Sequence, residues 1–589
     1  MNLSRLYIFI FSIILNSNLA ISANHAISLT SDIKYQKNFS NFDYVNIQAP
    51  KKGKLHIGVV GNFDNINNNI LMGSSAEGLA LTTDSLFTKS IEEIATTYNL
   101  LAEYFHIDSP NNRVIFKIRE KARWHDSTKI TNEDLLYTYN TLKEQGHPYY
   151  KIILNKVIKA ELLDNNKIAY YLSDINNVDL IQQIGLLPVL AKKYYENNEF
   201  NKITLKPQLG SGPYKIKEIK AGKYIIYEKF DNYWAKNLNV NIGRYNFKQI
   251  KYSYFRDANI AVQNLKAGSY DLRYENIAKN WANNYDNNFL DNLNYSKELI
   301  AHEIPTGMQC FALNLRKEKF QHKKVREALN LAFDFEWTNK ALFHNSYERT
   351  KSFYSNSPYV AKNSLNKYQI SYLKKISAED YISEYLYTPA KTAGNGNNRT
   401  NLLKAQKLLN EAGWTVKNFK LTNAKGDVFK LEFLITSPSF QRVILPYIKN
   451  LKKLGIEAKI RMVDYSNYQK SLENFNYDIT VYAYPGVKIP GNEQLNFWHS
   501  KYANLNGSRN ISGIINPIID KITEDIIEAK DYNKKKDLAQ LLDRVLRNNI
   551  YVIPHWNIKN HRIILNKNIA RPKINTSYGL DIHSWWKKN

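Results

Sequence analysis

The chain has 589 residues, one cysteine, and 81 Lys and Arg against 54 Asp and Glu, a formal net charge of +27. That length exceeds one ordinary hydrophobic core, so two or three lobes are expected, and a single cysteine excludes an internal disulfide. The charge would ordinarily suggest nucleic acid, but Lys and Asn are spread along the whole chain, as biased base composition would place them; no nucleic-acid partner is expected, and a pull towards anionic lipid or an acidic transporter face is the most it implies.

Arg5, an apolar run over residues 6–15 broken by Ser12, and small residues at Ala20, Ser22 and Ala23 have the anatomy of a cleavable secretory signal peptide, residues 1–23. The run is short for a membrane span, which leaves an uncleaved anchor as the alternative; no later stretch approaches about 20 continuous apolar residues, so a soluble mature protein is expected. Residues 54–60 read as a buried strand leading into Gly61 and the turn Asn62-Phe63-Asp64-Asn65. Val114, Phe116 and Ile118 alternate with polar residues, as in a half-buried strand. His125-Asp126-Ser127 supplies turn chemistry. Thr131 and Asp134 have capping-box spacing before the stripe Leu135, Leu136, Tyr139 and Leu142, and Gly146 suits the stop.

Residues 209–214, LGSGPY, signal a turn, and residues 224–228 alternate like a strand. The turn lacks the Lys-Ser/Thr of a phosphate-binding loop and precedes a strand, not a helix, so that reading is rejected. Further on, residues 257–268 predict a helix ended by Gly268, residues 308–313 a strand burying Cys310 as an inert thiol, and residues 325–334 an amphipathic helix. After a loop at 395–399, residues 405–414 predict a helix ended by Gly413. Strand 429–435, helix 443–454 and strand 456–463 predict a βαβ-type unit.

Enzyme motifs fail on spacing. His302-Glu303 opens like a zinc-protease helix, but Thr306 holds the place of the second His and Pro305 would break the helix. The 12 His do not cluster at zinc spacing, and no Gly-x-Ser-x-Gly elbow occurs. No catalytic residue, metal or cofactor is expected; a hydrolase assembled from scattered acids stays as an alternative.

The wording of residues 119–143, REKARWHDSTKITNEDLLYTYNTLK, resembles the signature of the extracellular solute-binding proteins of family five, which serve peptide and nickel ABC importers. Ser127 stands where that family usually has Gly. The likeness covers nearly the whole mature chain. It is nearest to the Yej-type branch, whose members bind oligopeptides and the peptide-nucleotide microcin C. The segments carrying it are 42–46 with 49–51, 243–247, 278–281, 305–309, 333–339 and 490–493.

The resemblance implies an α/β periplasmic-binding-protein fold with two main lobes joined by hinge strands, the first lobe carrying an extra subdomain. The expected divisions are 24–72 and 206–303 for lobe I, 73–205 for the subdomain, 304–554 for lobe II and 555–589 returning to lobe I. It implies capture of a peptide or peptide-like ligand by a monomer, for permease subunits of an inner-membrane ABC importer. With Cys310 far from the leader, no lipid anchor is expected, which places such a receptor in the periplasm. The alternatives are another solute (nickel chelate or haem), a secreted hydrolase, and a surface interaction protein.

In relatives a second-lobe loop presents an aspartate to the ligand's α-ammonium. The matching stretch here offers Tyr482, Tyr484, Asn492, Glu493 and Trp498, with Glu493 the only acid between Pro485 and Trp498. Glu493 either replaces the aspartate or, with Asn492, stabilises the loop. Asn280, Trp281 and Tyr285 would bring a flat ring and an amide near the crossover, or form core. Phe63, Asp64 and Asn65 sit on a turn that approaches ligand in the family. Arg509 and Arg442 are candidate carboxylate or phosphate contacts, or solvated charges.

Overall fold

The structure, a computed structural model, describes residues 23–30 and 32–588; the expected leader, apart from its last residue, lies outside them. Three sheets organise the chain. The first has seven strands, in the order Tyr295–Ala301, Asn560–Asn566, Leu272–Tyr274, Lys54–Val60, Gln249–Phe255, Tyr224–Lys229, Tyr214–Lys220. Lys54–Val60 is central and runs parallel to Gln249–Phe255 and Leu272–Tyr274, with Lys54 opposite Gln249 and Ile57 opposite Leu272. Its alternate residues Leu55 and Ile57 enter the core.

The second sheet is antiparallel, in the order Ala102–Asp108, Arg113–Ile118, Lys167–Leu172, Val157–Leu163. Val114, Phe116 and Ile118 are fully buried, as their alternation predicts. Helix Asn132–Glu144 covers them with Leu135, Tyr139 and Leu142, while Leu136 is half-buried. The Thr131–Asp134 capping box forms, with Asp134 Oδ2 accepting the Thr131 N–H at 2.9 Å. Gly146 follows the helix for a steric reason: a Cβ there would lie 2.5 Å from the Leu142 carbonyl.

The third sheet has the order Glu457–Met462, Lys430–Ile435, Ile479–Tyr484, Met308–Leu313, Val552–Pro554. Met308–Leu313 is buried on both faces: Cys310 joins the cluster around Leu434 and Trp498, and Phe311 the cluster around Phe433 and Tyr447. The βαβ unit is present with shifted ends. Its helix spans Pro438–Lys453, five residues earlier than expected at the start, because Ser437 caps it and Pro438 occupies the first turn, where a missing N–H is harmless. Likewise the helix expected at 325–334 stops at Ala332, and Asp334 caps a new one, Phe335–Phe343, by accepting the Trp337 N–H at 3.1 Å.

The chain crosses between the seven- and five-stranded sheets twice, at residues 302–307 and 555–559. The crossovers hold each other: the His302 N–H donates to the Lys559 carbonyl at 2.9 Å, and the His302 and His561 rings lie 4.6 Å apart. Among the described residues, no helix is long and apolar enough to cross a membrane.

Candidate functional site: the groove between the lobes

In open sheets with parallel strands, ligands meet the carboxyl ends of those strands. Here the segments leaving such ends include 61–65 and 275–285 from the seven-stranded sheet and 485–493 from the five-stranded one. Lys535, at the start of helix Tyr532–Asn548, lies within the fields of Glu493 and of Asp179 on helix Val178–Gly185. Lys488 lies within the field of Lys89. Asp179 is solvent-exposed, yet burial raises its carboxyl against the Gln183 hydrogen bond and the charges of Lys156 and Lys535. Tyr274, at a strand's carboxyl end, is 38 % exposed while burial pushes its phenol up to about 12.

The structure distributes the nominated residues unevenly. Phe63 is buried against Tyr254, with ring centroids 4.8 Å apart. Asn65 is fully buried: its amide donates to the Asn67 and Met72 carbonyls and accepts the Asn67 and Thr204 N–H groups, so it organises three segments and faces no solute. Of the three nominated residues on that turn only Asp64 is exposed, its Oδ1 accepting the Ser74 N–H at 2.6 Å. Tyr285 is buried too, donating to Glu275 Oε2 at 2.5 Å and accepting from Arg273 Nε at 3.0 Å. Burial first, then the Glu275 hydrogen bond, raises its phenol far above the usual range. Trp281, on helix Ala278–Asn283, stays half-buried beneath Lys297, and the buried Asn280 accepts from Asn284 while its own Nδ2 finds no partner.

On the second lobe, Tyr484 and Trp498 pack ring to ring at 4.5 Å inside the core, and Trp498 Nε1 donates to Gln494. Tyr482 is half-buried, while Asn492 and Arg509 are exposed. Glu493 opens helix Glu493–Trp498; its Oε1 accepts the Gly491 N–H at 2.8 Å and Gln494 Nε2 at 2.9 Å. The loop-stabilising role is therefore real, and it engages one carboxylate oxygen. Asp179 and Lys535 escaped sequence reading, because a lysine in a lysine-rich chain carries no signal and their coupling spans hundreds of residues.

The signature turn has a different role. His125 donates its backbone N–H to the Gly210 carbonyl at 2.8 Å, and its Nε2 lies 2.8 Å from the Gly212 carbonyl. Burial lowers its imidazole to about 4. A Cβ on Gly210 would meet the Thr82 carbonyl at 2.1 Å, and one on Gly212 the Leu81 carbonyl at 2.4 Å, so both glycines are required by close packing. Two motifs read separately in the sequence are thus one joint. A cavity of about 510 Å³ lies beside it, within the first lobe, lined by His125, Asp126, Thr82, Gln208 and Lys215 and reaching Ile66, the neighbour of the nominated Asn65. Among the described residues, no three His, Cys, Asp or Glu side chains gather as a metal-holding group.

This architecture is shared with solved structures. NikA from Brucella suis, in complex with Fe(III)-EDTA, superposes with a TM-score of 0.70 at 17% identity, over 91% of this chain and 100% of that one. AppA from Bacillus subtilis, in complex with a nonapeptide, gives 0.65 at 19% identity over 92% and 100%. In sequence the chain is 35% identical to the "Probable peptide-binding protein YejA" of Agrobacterium fabrum, over 95% of this chain and 93% of the relative. It is 35% identical to YejA of Escherichia coli over 96% and 94%, and 31% identical to the "Peptidoglycan-binding protein YepA" of Agrobacterium fabrum over 95% and 94%. The profile of "Bacterial extracellular solute-binding proteins, family 5 Middle" matches residues 96–506. The chain belongs to the family 5 bacterial extracellular solute-binding proteins.

Proposed function

We propose that this protein captures a peptide or peptide-like solute between its lobes in the periplasm and delivers it to the permease of an inner-membrane ABC importer. The observation that carries the reading is the pair of crossovers at 302–307 and 555–559, where the described chain passes between the seven- and five-stranded sheets. Such a joint permits hinge closure over a guest, and the guest raises the closed population only by binding that form more tightly. Peptide main chain is well held by backbone hydrogen bonds, with side chains left to tolerant pockets. The names of YejA and YepA support a peptide or a peptide-bearing cell-wall fragment.

Under this reading lobe I comprises 24–72, 206–303 and 555–589 with the subdomain 73–205, and lobe II comprises 304–554. Residues 1–23 are the leader, and the receptor works as a monomer without a cofactor. Of the nominated side chains, Asp64, Trp281, Tyr482, Asn492, Glu493 and Arg509 retain the exposure needed to touch ligand. Mass spectrometry of ligand released from denatured protein tests this: short peptides or muropeptides are expected. A metal chelate or haem would replace the reading, and hydrolysis of added peptides would make the protein an enzyme.

A further inference from the structure

The hairpin of strands Thr415–Lys417 and Lys420–Thr422 breaks two local rules at its tip. Its two-residue turn, Asn418-Phe419, has φ of 49° and 63°. Two left-handed positions in succession suit Asn-Gly, and a bulky ring at the second is strained where glycine is not. Lys417 and Lys420 stand directly opposite each other in the ladder, a like-charge pairing that destabilises a hairpin. The fold recovers nothing from the ring. Phe419 is 96 % exposed, more than any other large apolar side chain among the described residues.

Contacts fix what surrounds this tip. The Leu421 N–H donates to the Gly455 carbonyl at 2.8 Å, and a Cβ on Gly455 would lie 3.3 Å from the Phe419 carbonyl. Lys452 and Lys453, both exposed, sit in the last turn of helix Pro438–Lys453, just before Gly455. Glu457 follows, with Oε1 3.0 Å from Lys420 Nζ and with the exposed Lys430 opposite it in the sheet. The tip therefore lies at the amino ends of the parallel strands Lys430–Ile435 and Glu457–Met462, the end of the sheet away from segment 485–493.

A strained, exposed ring between opposed lysines serves a contact outside the fold. A protein groove receiving that ring would meet an apolar rim around it, whereas the rim here is cationic. Lipid headgroups accept both parts: the ring sits at headgroup depth, and lysine stems reach the phosphates. We propose that the Asn418-Phe419 tip, with Lys417, Lys420, Lys452 and Lys453, is an adhesion point for an anionic lipid bilayer. One ring and a few lysines give reversible attachment, and the location leaves the groove free to exchange solute. This membrane contact is independent of the peptide reading.

Cosedimentation of the full mature chain with vesicles tests it, using phosphatidylcholine alone and phosphatidylcholine with one part in three of phosphatidylglycerol. Wild type should bind the anionic vesicles tenfold or more tightly than the neutral ones. Phe419→Gly should weaken that binding roughly fivefold while raising the melting midpoint, because glycine relieves the turn. Lys417→Gln should weaken it roughly fivefold as well, the scale of one lysine at an anionic surface. Absence of binding to anionic vesicles overturns the proposal. So does binding that both variants retain in full, which would be adhesion by net charge alone. Attachment seen only with native inner-membrane vesicles, and abolished when protease strips them, would assign the tip to a protein partner and equally overturn it.

Discussion

Arg244 Nε lies 2.9 Å from Asp581 Oδ2, closing a buried ion pair between residues 337 positions apart. Around it the Gly243–Phe247 motif meets 42–46 and 49–51, two further segments typical of its branch, and the C-terminal stretch. A Cβ on Gly243 would lie 2.6 Å from Val45, and the Asn246 amide donates to the Ser584 and Trp585 carbonyls. Asp581→Ala leaves a guanidinium buried without its partner, at a cost of about 3–5 kcal/mol. Urea unfolding should register that loss, and the double variant Arg244→Met, Asp581→Leu should recover most of it.

Asp84 gives a pH dependence of definite sign. It is buried, accepts from the Tyr233 hydroxyl at 2.9 Å and Trp234 Nε1 at 2.8 Å, and is raised by burial from 3.8 to about 7 despite those bonds. The folded chain therefore keeps a proton that the unfolded chain releases between pH 3.8 and about 7. Its contribution to stability is full below that window and is lost as pH rises through it, by at most about 1.4 kcal/mol per pH unit. Unfolding curves of Asp84→Asn should lack this slope relative to wild type; parallel profiles would show Asp84 ionised throughout.

Ser127 occupies a left-handed conformation, with φ of 72°, at the position where the family usually has Gly. A non-glycine residue pays roughly 1–2 kcal/mol there, partly offset by its smaller loss of unfolded-state freedom. Ser127→Gly should stabilise the fold by up to about 1 kcal/mol, visible as a raised melting midpoint. Next to it, Thr131→Ala should destabilise by about 1 kcal/mol through loss of the cap.

Glu493 Oε2 is not engaged by the loop bonds that occupy Oε1. If it meets a ligand ammonium, Glu493→Gln should weaken peptides with a free N-terminus roughly tenfold, the scale of one charge-assisted hydrogen bond, and leave acetylated peptides unchanged. Equal losses for both would assign the residue to the loop alone.

The lone thiol supplies a probe of integrity. Cys310 is fully buried, its thiol pushed well above the usual range by burial, with Sγ 3.6 Å from the Tyr482 carbonyl. A disulfide reagent should leave the native protein unmodified and titrate one equivalent after denaturation.

Local chemistry made much of the fold legible. Alternation placed Val114, Phe116 and Ile118, side-chain spacing placed the Thr131–Asp134 cap, and Gly268, with φ of 70°, ended its helix. Helix starts were less legible where a proline opened them, as at Pro438. The groove was the least legible part. Tyr484 and Trp498 carry the composition of a binding surface but fill the core, because an aromatic ring suits either setting.

Met308–Leu313 and Val552–Pro554 are paired neighbours, Cys310 opposite Pro554, in one ladder. The long stretch between them thus leaves and re-enters the molecule at a single seam, like a module spliced into a host. Fragment 308–554 would have adjoining ends, and a short loop joining them would allow new termini elsewhere. An artificial polypeptide of that kind, or a reporter domain inserted at the seam, should inherit the packing of the parent.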